Sequence, residues 1–247
     1  ASTVSLMISD VAGDDPAVIA SGPTTADPTT CRDALEIITR HNVQIPADLE
    51  VRLGNGSNET PKPGAVELSR ASHQIIASAK GALQAVSDRA GQFDFEVLNL
   101  GDEVIGESRH VGREHGQLFR RLVTQSSPGQ PLLLISGGET TVTIHGQGQG
   151  GPNREYLLAL AIELDSIPNV WAIACDTDGL DGNHDAAGAI IGPVTLKRAS
   201  RLGLNPDRML NDNDAGSFFA ALDDAVVTGP TRTNINDLRI LAYIPPS

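Results

Sequence analysis

The glycine-rich stretch ISGGETTVTIHGQGQGGPNRE, residues 135–155, holds the clearest candidates for chemistry in this chain. Six glycines fall between positions 137 and 151, and glycine lets backbone N–H groups approach a ligand without a Cβ in the way. Such N–H groups at a loop-to-helix junction suit a phosphate, which predicts a nucleotide-binding loop; a flexible β-hairpin is the alternative. The predicted nucleotide-binding residues are Gly137, Gly138, Glu139, Thr140, Gly148, Gly150, Gly151 and Asn153.

The same loop formally satisfies the dinucleotide fingerprint G-x-G-x-x-G from Gly146 to Gly151. The acid that ends the next strand, Asp176, lies about thirty residues on, against the expected ~20. The preceding run, Thr140–Ile144, alternates as an antiparallel strand would. The Walker lysine loop is absent. The context therefore disfavours a dinucleotide, and any ATP would be held by backbone amides and an arginine.

A second candidate is the acidic loop DTDGLDGNHD, residues 176–185, which has four aspartates directly after an apolar run. Carboxylate oxygens in a flexible loop suit Mg²⁺ or Ca²⁺. Leu180 and the missing distal glutamate exclude an EF-hand. A magnesium site on a nucleotide needs only one or two carboxylates, so we predict metal binding by Asp176, Asp178 and Asp181. A solvated turn with Asx caps is the alternative.

A third candidate is the loop after the first apolar run, which contains Ser9, Asp10 and Asp14. Carboxylates crowded at the end of a strand favour the charged form only if a cation or donors relieve them. A small-residue loop with Ser21, Gly22 and Thr24 follows. Because ligands of open α/β sheets bind beyond the carboxyl ends of strands, both loops are candidate substrate-binding segments. A solvated acidic turn is the alternative.

Apolar runs that alternate with helical patterns must position these loops. They predict an α/β protein whose parallel sheet is covered on both faces. Ser126–Gly129 is the best candidate boundary, which gives an incomplete Rossmann-like domain over residues 1–127 and a mixed α/β domain over 128–247. Strands are predicted at 3–8, 72–77, 93–98, 132–135, 140–144, 170–175, 225–227 and 237–242, and helices at 31–41, 79–90, 107–124, 153–164, 193–202 and 213–222. His115 on the 107–124 helix is interpreted as a core histidine.

The composition limits the partners. The 247 residues carry a formal net charge of −13, which argues against nucleic acid and anionic membrane surfaces. No apolar run approaches the length of a transmembrane helix. Cys31 and Cys175 lack metal-ligand spacing, so we interpret them as buried thiols of a cytoplasmic protein.

Five motifs together resemble the class II glycerate kinases, the glycerate 2-kinases whose C-terminal part is the MOFRL domain. They fall in family order over nearly the whole chain: SDVAGDDPAVIASGPT (9–24), ISGGETTVTIHGQGQGGPNRE (135–155), DTDGLDGNHDAAGAIIG (176–192), NDND (211–214) and TGPTRTNINDL (228–238). The resemblance implies ATP- and Mg²⁺-dependent phosphorylation of D-glycerate to 2-phosphoglycerate, between two α/β domains. It implies a small hydroxy acid and a nucleotide as partners, and leaves a homodimer open.

This chain departs from the family pattern in two places. Pro152 stands where the family usually has arginine, and Arg154 where it has glutamine; we predict that Arg154 supplies the catalytic charge. Family members also have a long N-terminal stretch with a lysine implicated in substrate handling, so this chain resembles the C-terminal half or somewhat more of such an enzyme. The alternatives are an NAD(P)H-dependent hydroxypyruvate reductase, a label many members carry, and a non-catalytic acid-binding module.

Overall fold

The computed structural model describes residues 2–165, 167–182 and 185–246. The chain forms two compact units, Ala1–Ile76 and Ala77–Ser247, which are described separately. The Ser126–Gly129 turn lies inside the second unit, so the domain boundary placed there by the sequence stays a prediction. None of the described helices is long and apolar enough to cross a membrane.

The first unit contains a two-stranded sheet and two helices. Strand β1 (Thr3–Ser9) pairs with β2 (Ala71–Ser78), whose last residues run into the second unit. Helix α1 (Cys31–Arg40) begins with a capping box, in which the Thr30 hydroxyl accepts from the Asp33 N–H and the Asp33 carboxylate accepts from the Thr30 N–H. These groups satisfy two N–H donors that a helix start leaves unpaired. Helix α2 (Ala47–Gly54) was not predicted.

The second unit is a mixed α/β structure, as the sequence predicts at the level of fold class. Its strands are β3 (Glu96–Asn99), β4 (Gly106–Glu107), β5 (Leu132–Ser136), β6 (Thr140–Thr141), β7 (Val170–Asp176), β8 (Gly188–Ile191), β9 (Ala225–Val226) and β10 (Asp237–Tyr243). Its helices are α3 (Ala79–Gly91), α4 (Ser108–Gln125), α5 (Pro152–Leu164), α6 (Thr195–Arg201), α7 (Pro206–Asn211) and α8 (Ala215–Ala221).

Six strands form the main sheet in the order β3-β5-β10-β7-β8-β9. The pair β3–β5 is parallel, and all other neighbours in this sheet are antiparallel. Within the main sheet the parallel arrangement is therefore limited to β3 and β5, and β4 and β6 form a second parallel pair outside it. Alternation of strands and helices along the chain could not reveal that the last strand, β10, inserts between β5 and β7 in the opposite direction.

Helix α5 is the centre of the core. Its residues Tyr156–Leu160 are completely buried, with the sheet on one side and α4 on the other. Successive side chains of β5 point to opposite faces of the sheet. Leu132 and Leu134 pack in the α5 cluster, whereas Leu133 and Ile135 pack with α3. The sheet is thus covered by helices on both faces at β5.

The predicted half-exposed strand Thr140–Ile144 is wrong beyond its second residue. Strand β6 pairs in parallel with β4 over Thr140–Thr141. The Thr143 N–H then donates to the Glu107 carboxylate, and the Asn213 side chain takes up the next backbone groups. Side-chain acceptors replace a strand ladder here, which the alternating pattern alone could not indicate.

Candidate functional site

Several of the predicted site segments meet at one side of the main sheet. Strands β5 and β7 end there at Ser136 and Asp176, and the antiparallel β10 begins there, with Asp237 opposite Asp176. Strand β3 is parallel to β5 and ends at the same side, at Asn99. We call this side the acidic edge. In open α/β sheets the carboxyl ends of strands border the ligand crevice.

The glycine-rich loop that borders the acidic edge is held by the segment between α7 and α8. The carboxylate of Asp212 accepts from the Gln147 N–H at 3.1 Å, and the backbone carbonyl of Asp212 accepts from the Gly148 N–H at 2.9 Å. Asp214 accepts from the Gln149 N–H at 3.0 Å. These contacts occupy amides that a phosphate would need.

Asn213 is the central residue of this contact. Its Oδ1 accepts from the N–H groups of His145 and Gly146, at 2.8 and 3.0 Å. Its Nδ2 donates to the Glu155 carboxylate at 2.9 Å, and Glu155 in turn accepts from Arg109 Nε at 2.7 Å. One amide side chain therefore ties the loop to the first turn of α5.

Glycine is required in this loop for close approach to the chain itself. A Cβ at Gly146 would lie 2.3 Å from the Asp212 carbonyl oxygen, and one at Gly151 would lie 2.3 Å from the Asp181 carbonyl oxygen. Gly148, Gly150 and Gly151 line a cavity of about 130 Å³. Drug-sized ligand pockets span about 300–1,000 Å³. The enclosed space is therefore too small for a whole nucleotide.

The start of α5 is occupied by a carboxylate from the chain. Asp181 Oδ1 accepts from the Asn153 N–H at 2.9 Å, and Oδ2 accepts from the Arg154 N–H at 3.0 Å. Arg154 Nε also donates to Asp181 Oδ2 at 2.9 Å, and both side chains are buried. Asp181 thus takes the place that a phosphate would have at this helix start.

The Asp181 carboxylate and the Arg154 guanidinium therefore satisfy each other. The sequence assigns Arg154 to catalysis and Asp181 to a metal. Both assignments stay predictions, and the observed contacts favour a structural role for the pair. A positive charge in the first turn of a helix is unfavourable against the helix dipole, and the Asp181 carboxylate offsets it.

A second buried pair, Asp237 and Arg239, follows on β10. Arg239 donates to the Asp237 carboxylate, and its Nη1 donates to the Gly137 carbonyl at 3.0 Å. Asn153 Nδ2 donates to Asp237 Oδ1 at 2.6 Å, which links this pair to the start of α5. Burial raises the pKa of Asp237 despite the neighbouring guanidinium. Among the described residues, Asn153 Oδ1, Arg239 Nε and Ser136 Oγ are buried without a hydrogen-bond partner.

Asp176, opposite Asp237, is half-buried, as is Asp178 two residues further on. Burial, with the neighbouring charges of Asp237 and Asp178, raises the pKa of Asp176 to about 6. Its Oδ1 accepts from the Asp178 N–H at 3.0 Å, and Asp178 Oδ1 accepts from the Leu180 N–H at 2.7 Å. Within the described residues, no three His, Cys, Asp or Glu side chains converge on a metal position. Asn183 and His184 of the same loop lie outside the described residues.

The predicted substrate-binding residues lie in the first unit. Ser9 is buried at the end of β1, and the Thr24 hydroxyl accepts from Ser5 at 2.7 Å. Ser21 and Gly22 have φ of +63° and +58°, and Asp14 has +55°. Asp10 also takes part in a polar or electrostatic interaction within the chain. Their role, and their position relative to the acidic edge, stay predictions.

His115 has the environment that the sequence predicts, whereas of the two cysteines predicted to be buried, Cys31 is buried and Cys175 is half-buried. His115 is buried and its Nδ1 lies 2.9 Å from the Tyr156 hydroxyl. Burial lowers the pKa of His115 to about 4, so the imidazole is neutral at pH 7. Both cysteines are free, and burial with the nearby aspartates raises the pKa of Cys175 to about 12. Neither cysteine is an activated nucleophile.

Sequence reasoning missed most of the residues that hold the site together. The sequence places Asp212, Asn213 and Asp214 only in a family motif at a predicted helix start, and the pair Asp237–Arg239 in a predicted strand. The signal for the first set was present, because three polar residues that cap a helix can equally bind the N–H groups of a neighbouring loop. For Asp237 and Arg239 the sequence offers only one indication of a buried ion pair, namely two opposite charges at alternate positions of an apolar run.

Comparison with known proteins gives two family matches. The MOFRL family model matches residues 132–237, and the model of a domain of unknown function, DUF4147, matches residues 1–54. A protein of Agrobacterium vitis named "Putative hydroxypyruvate reductase" is 43% identical over 98% of this chain and 55% of its own length.

Two comparisons concern Thermotoga maritima. A protein named D-glycerate 2-kinase is 33% identical over 97% of this chain and 56% of its own length. A crystal structure of a glycerate kinase from the same organism superposes with a TM-score of 0.87 and 32% identity, covering 98% of this chain and 57% of that one. The chain thus spans little more than half the length of these relatives.

Proposed function

We propose that the whole protein is an ATP- and Mg²⁺-dependent kinase that phosphorylates D-glycerate to 2-phosphoglycerate, because the MOFRL family model matches residues 132–237 and the DUF4147 model matches residues 1–54. The observation that carries the proposal is the likeness to a glycerate kinase of known structure along almost the entire chain. The two superpose with a TM-score of 0.87 and share 32% sequence identity. That likeness reaches the acidic edge, where the candidate chemistry lies.

The carboxylates at the acidic edge fit a magnesium ion. Asp176 and Asp178 lie at the end of β7, and the charge of Asp237 adds to theirs, so a cation there relieves repulsion. We assign Asp176 and Asp178 to metal binding. Asp181, whose oxygens accept from α5, holds the helix start instead. Magnesium, when bound, would neutralise charge on the phosphates, and its remaining ligands would be phosphate and water oxygens.

The chain's own groups then have positioning roles. Phosphoryl transfer depends mainly on alignment and charge neutralisation, with little covalent chemistry for the protein to perform. Arg239 holds the Gly137 carbonyl, and Asp237 holds Asn153, so the turn after β5 and the start of α5 are fixed together. We assign nucleotide binding to the Gly137–Thr140 turn at the end of β5, and binding of the hydroxy acid to Ser9–Asp14 and Ser21–Thr24.

The reductase alternative has less support from the loop geometry. In a dinucleotide site the pyrophosphate lies on the helix N–H groups after the glycine loop. Here the side chains of Asp181 and Asp214 hold N–H groups of α5 and of the loop. A titration that follows NADH fluorescence separates the alternatives: the kinase binds Mg·ATP and leaves NADH fluorescence unchanged, whereas saturable NADH binding without ATP binding would support the reductase. Binding of glycerate without turnover would support the non-catalytic module.

A further inference from the structure

An anionic substrate needs a positive charge at the acidic edge, and the sequence provides very few. The described segments that border this edge are residues 100–105, 137–151, 177–182, 185–187 and 227–236. They contain six aspartates and glutamates but a single lysine or arginine, Arg232. A phosphate or a carboxylate that binds beside this excess of negative charge requires neutralisation.

The other charges and donors near the edge are already engaged. Arg154 is paired with Asp181, and Arg239 with Asp237, in both cases out of contact with solvent. The N–H groups at the start of α5 are bonded to Asp181. Five amides of the glycine-rich loop, from His145 to Gln149, are bonded to the Asp212–Asp214 segment. These groups cannot serve a ligand without breaking contacts within the chain, and the contacts at the start of α5 are buried.

Arg232 differs from both buried arginines. It is exposed, and its side chain makes no hydrogen bond or ion pair with any residue that the structure describes. Its backbone is nevertheless fixed beside the acidic loop. The neighbouring Thr231 donates its N–H to the Asp178 carbonyl at 2.9 Å and its hydroxyl to the Thr177 carbonyl at 2.6 Å. The residue that carries the unengaged guanidinium therefore directly follows a backbone segment anchored to the loop of the proposed metal-binding residues.

The backbone of Arg232 is also in an unfavourable conformation. Its φ is +64°, in the left-handed region that glycine prefers. The other non-glycine residues of the second unit with positive φ are all asparagine or aspartate: Asp94, Asn169, Asn213, Asp223 and Asn236. Those residue types tolerate this region because their short side chains bond locally, whereas arginine gains nothing from it. Strain of this kind is common at ligand-binding positions.

We propose that Arg232 is a substrate-binding residue whose guanidinium contacts an anionic oxygen group, phosphoryl or carboxylate, of a substrate at the acidic edge. The inference rests on the proposed function for the identity of that substrate. The planar guanidinium suits both groups, because either one offers two oxygens to its parallel N–H donors. The contact supplies a positive charge to segments that otherwise contain only acidic charges.

The test uses Arg232→Gly, which removes the charge and relieves the positive φ at once. We expect kcat/KM for ATP and D-glycerate to fall about 10- to 100-fold, the usual range for a lost charged hydrogen bond, while Tm stays equal or rises. Arg232→Lys keeps a point charge without the fork and should retain part of the activity. Asn169→Gly, which relieves a φ of +59° at the start of β7, is the matched control and should keep parent kinetics.

Two arms identify the anion. A rise in KM for ATP, with weaker binding of inorganic triphosphate in Mg²⁺ by calorimetry, assigns the contact to a phosphoryl group. A rise in KM for glycerate, with weaker binding of D-glycerate, assigns it to the carboxylate. Parent-like kinetics and parent-like binding of both anions in Arg232→Gly would overturn the inference.

The binding arm also separates this inference from the proposed function. If the parent transfers no phosphoryl group but binds triphosphate or glycerate, and Arg232→Gly loses that binding, the kinase proposal fails and the role of Arg232 stands. If the parent binds neither anion, or if the variant binds as the parent does, the role of Arg232 is overturned.

Discussion

Asp181 and Arg154 form a buried ion pair at the first turn of α5, with Arg154 Nε 2.9 Å from Asp181 Oδ2. The same carboxylate accepts the N–H groups of Asn153 and Arg154. The helix start that follows the glycine-rich loop is therefore stabilised from within the chain. The N–H groups that could bind an anion there already donate to Asp181. We therefore expect a ligand to contact the acidic edge and not the start of α5.

The first prediction concerns this pair. Asp181→Ala leaves the Arg154 guanidinium buried without its partner, which typically costs about 3–5 kcal/mol. We expect the free energy of unfolding, measured by urea titration, to fall by that order. Arg198→Ala, which breaks the more exposed Arg198–Asp224 pair, is the control and should cost about 1 kcal/mol. Equal losses in both variants would show that the Asp181 contact is not the strong one.

The second prediction concerns the hold on the glycine-rich loop. Asn213→Ala leaves the N–H groups of His145 and Gly146 without their acceptor. These donors are only partly buried, so their loss of an acceptor should cost at most about 1–3 kcal/mol and the loop should open locally. Hydrogen exchange followed by mass spectrometry should show faster exchange at residues 143–149. Asn205→Ala, which removes the cap of α7, is the control and should leave those amides unchanged. Unaltered exchange in Asn213→Ala would contradict the assignment.

The third prediction tests whether the loop glycines serve the chain's own packing. Gly146→Ala places a Cβ about 2.3 Å from the Asp212 carbonyl oxygen, so the loop or its partner must shift. We expect a loss of about 1–3 kcal/mol of stability, as for other overpacked sites. Gly91→Ala, at the end of α3, meets no atom within 4 Å and is the control. A parent-like melting temperature for Gly146→Ala would show that the loop is loose.

The fourth prediction concerns pH and magnesium. The folded protein raises the pKa of Asp176 from 3.8 to about 6, so it binds this proton more tightly than the unfolded chain does. The group stabilises the fold below pH 3.8, and this contribution is lost as the pH rises through about 6. Asp176→Asn should therefore melt above the parent at pH 7.5, and the difference should shrink towards pH 4.

Adding Mg²⁺ with ADP completes the test of Asp176. The ligand should raise the Tm of the parent at pH 7.5 and raise that of Asp176→Asn much less, because the variant lacks the carboxylate that binds the cation. If both proteins gain the same Tm, Asp176 does not bind the metal and the acidic loop is a solvated turn.

The sequence predicted the elements well and their arrangement less well. A strong helical pattern placed α5, and an uninterrupted apolar run placed β7, within one residue of their observed bounds. The short helices α2 and α7 and the short strand β8 were missed, because they contain too few apolar positions to show a period. The order of strands depends on long-range contacts, so the insertion of β10 between β5 and β7 could not be deduced.

The same limit applies to the site. Glycines and aspartates indicated which loops carry chemistry, but composition cannot tell whether a loop amide faces a ligand or another part of the chain. Asn213 and Asp181 decide that question through contacts over 67 and 27 residues of sequence. Arg232 was passed over because nothing in the local sequence announces a positive φ at an arginine.

The most direct test of the kinase proposal follows the phosphoryl group itself. The purified protein is incubated with ATP, Mg²⁺ and D-glycerate, and the products are followed by ³¹P NMR. The account predicts that ADP and 2-phosphoglycerate form in equal amounts, and that neither forms without Mg²⁺. Absence of phosphoglycerate, together with oxidation of NADH when hydroxypyruvate is supplied, would contradict it.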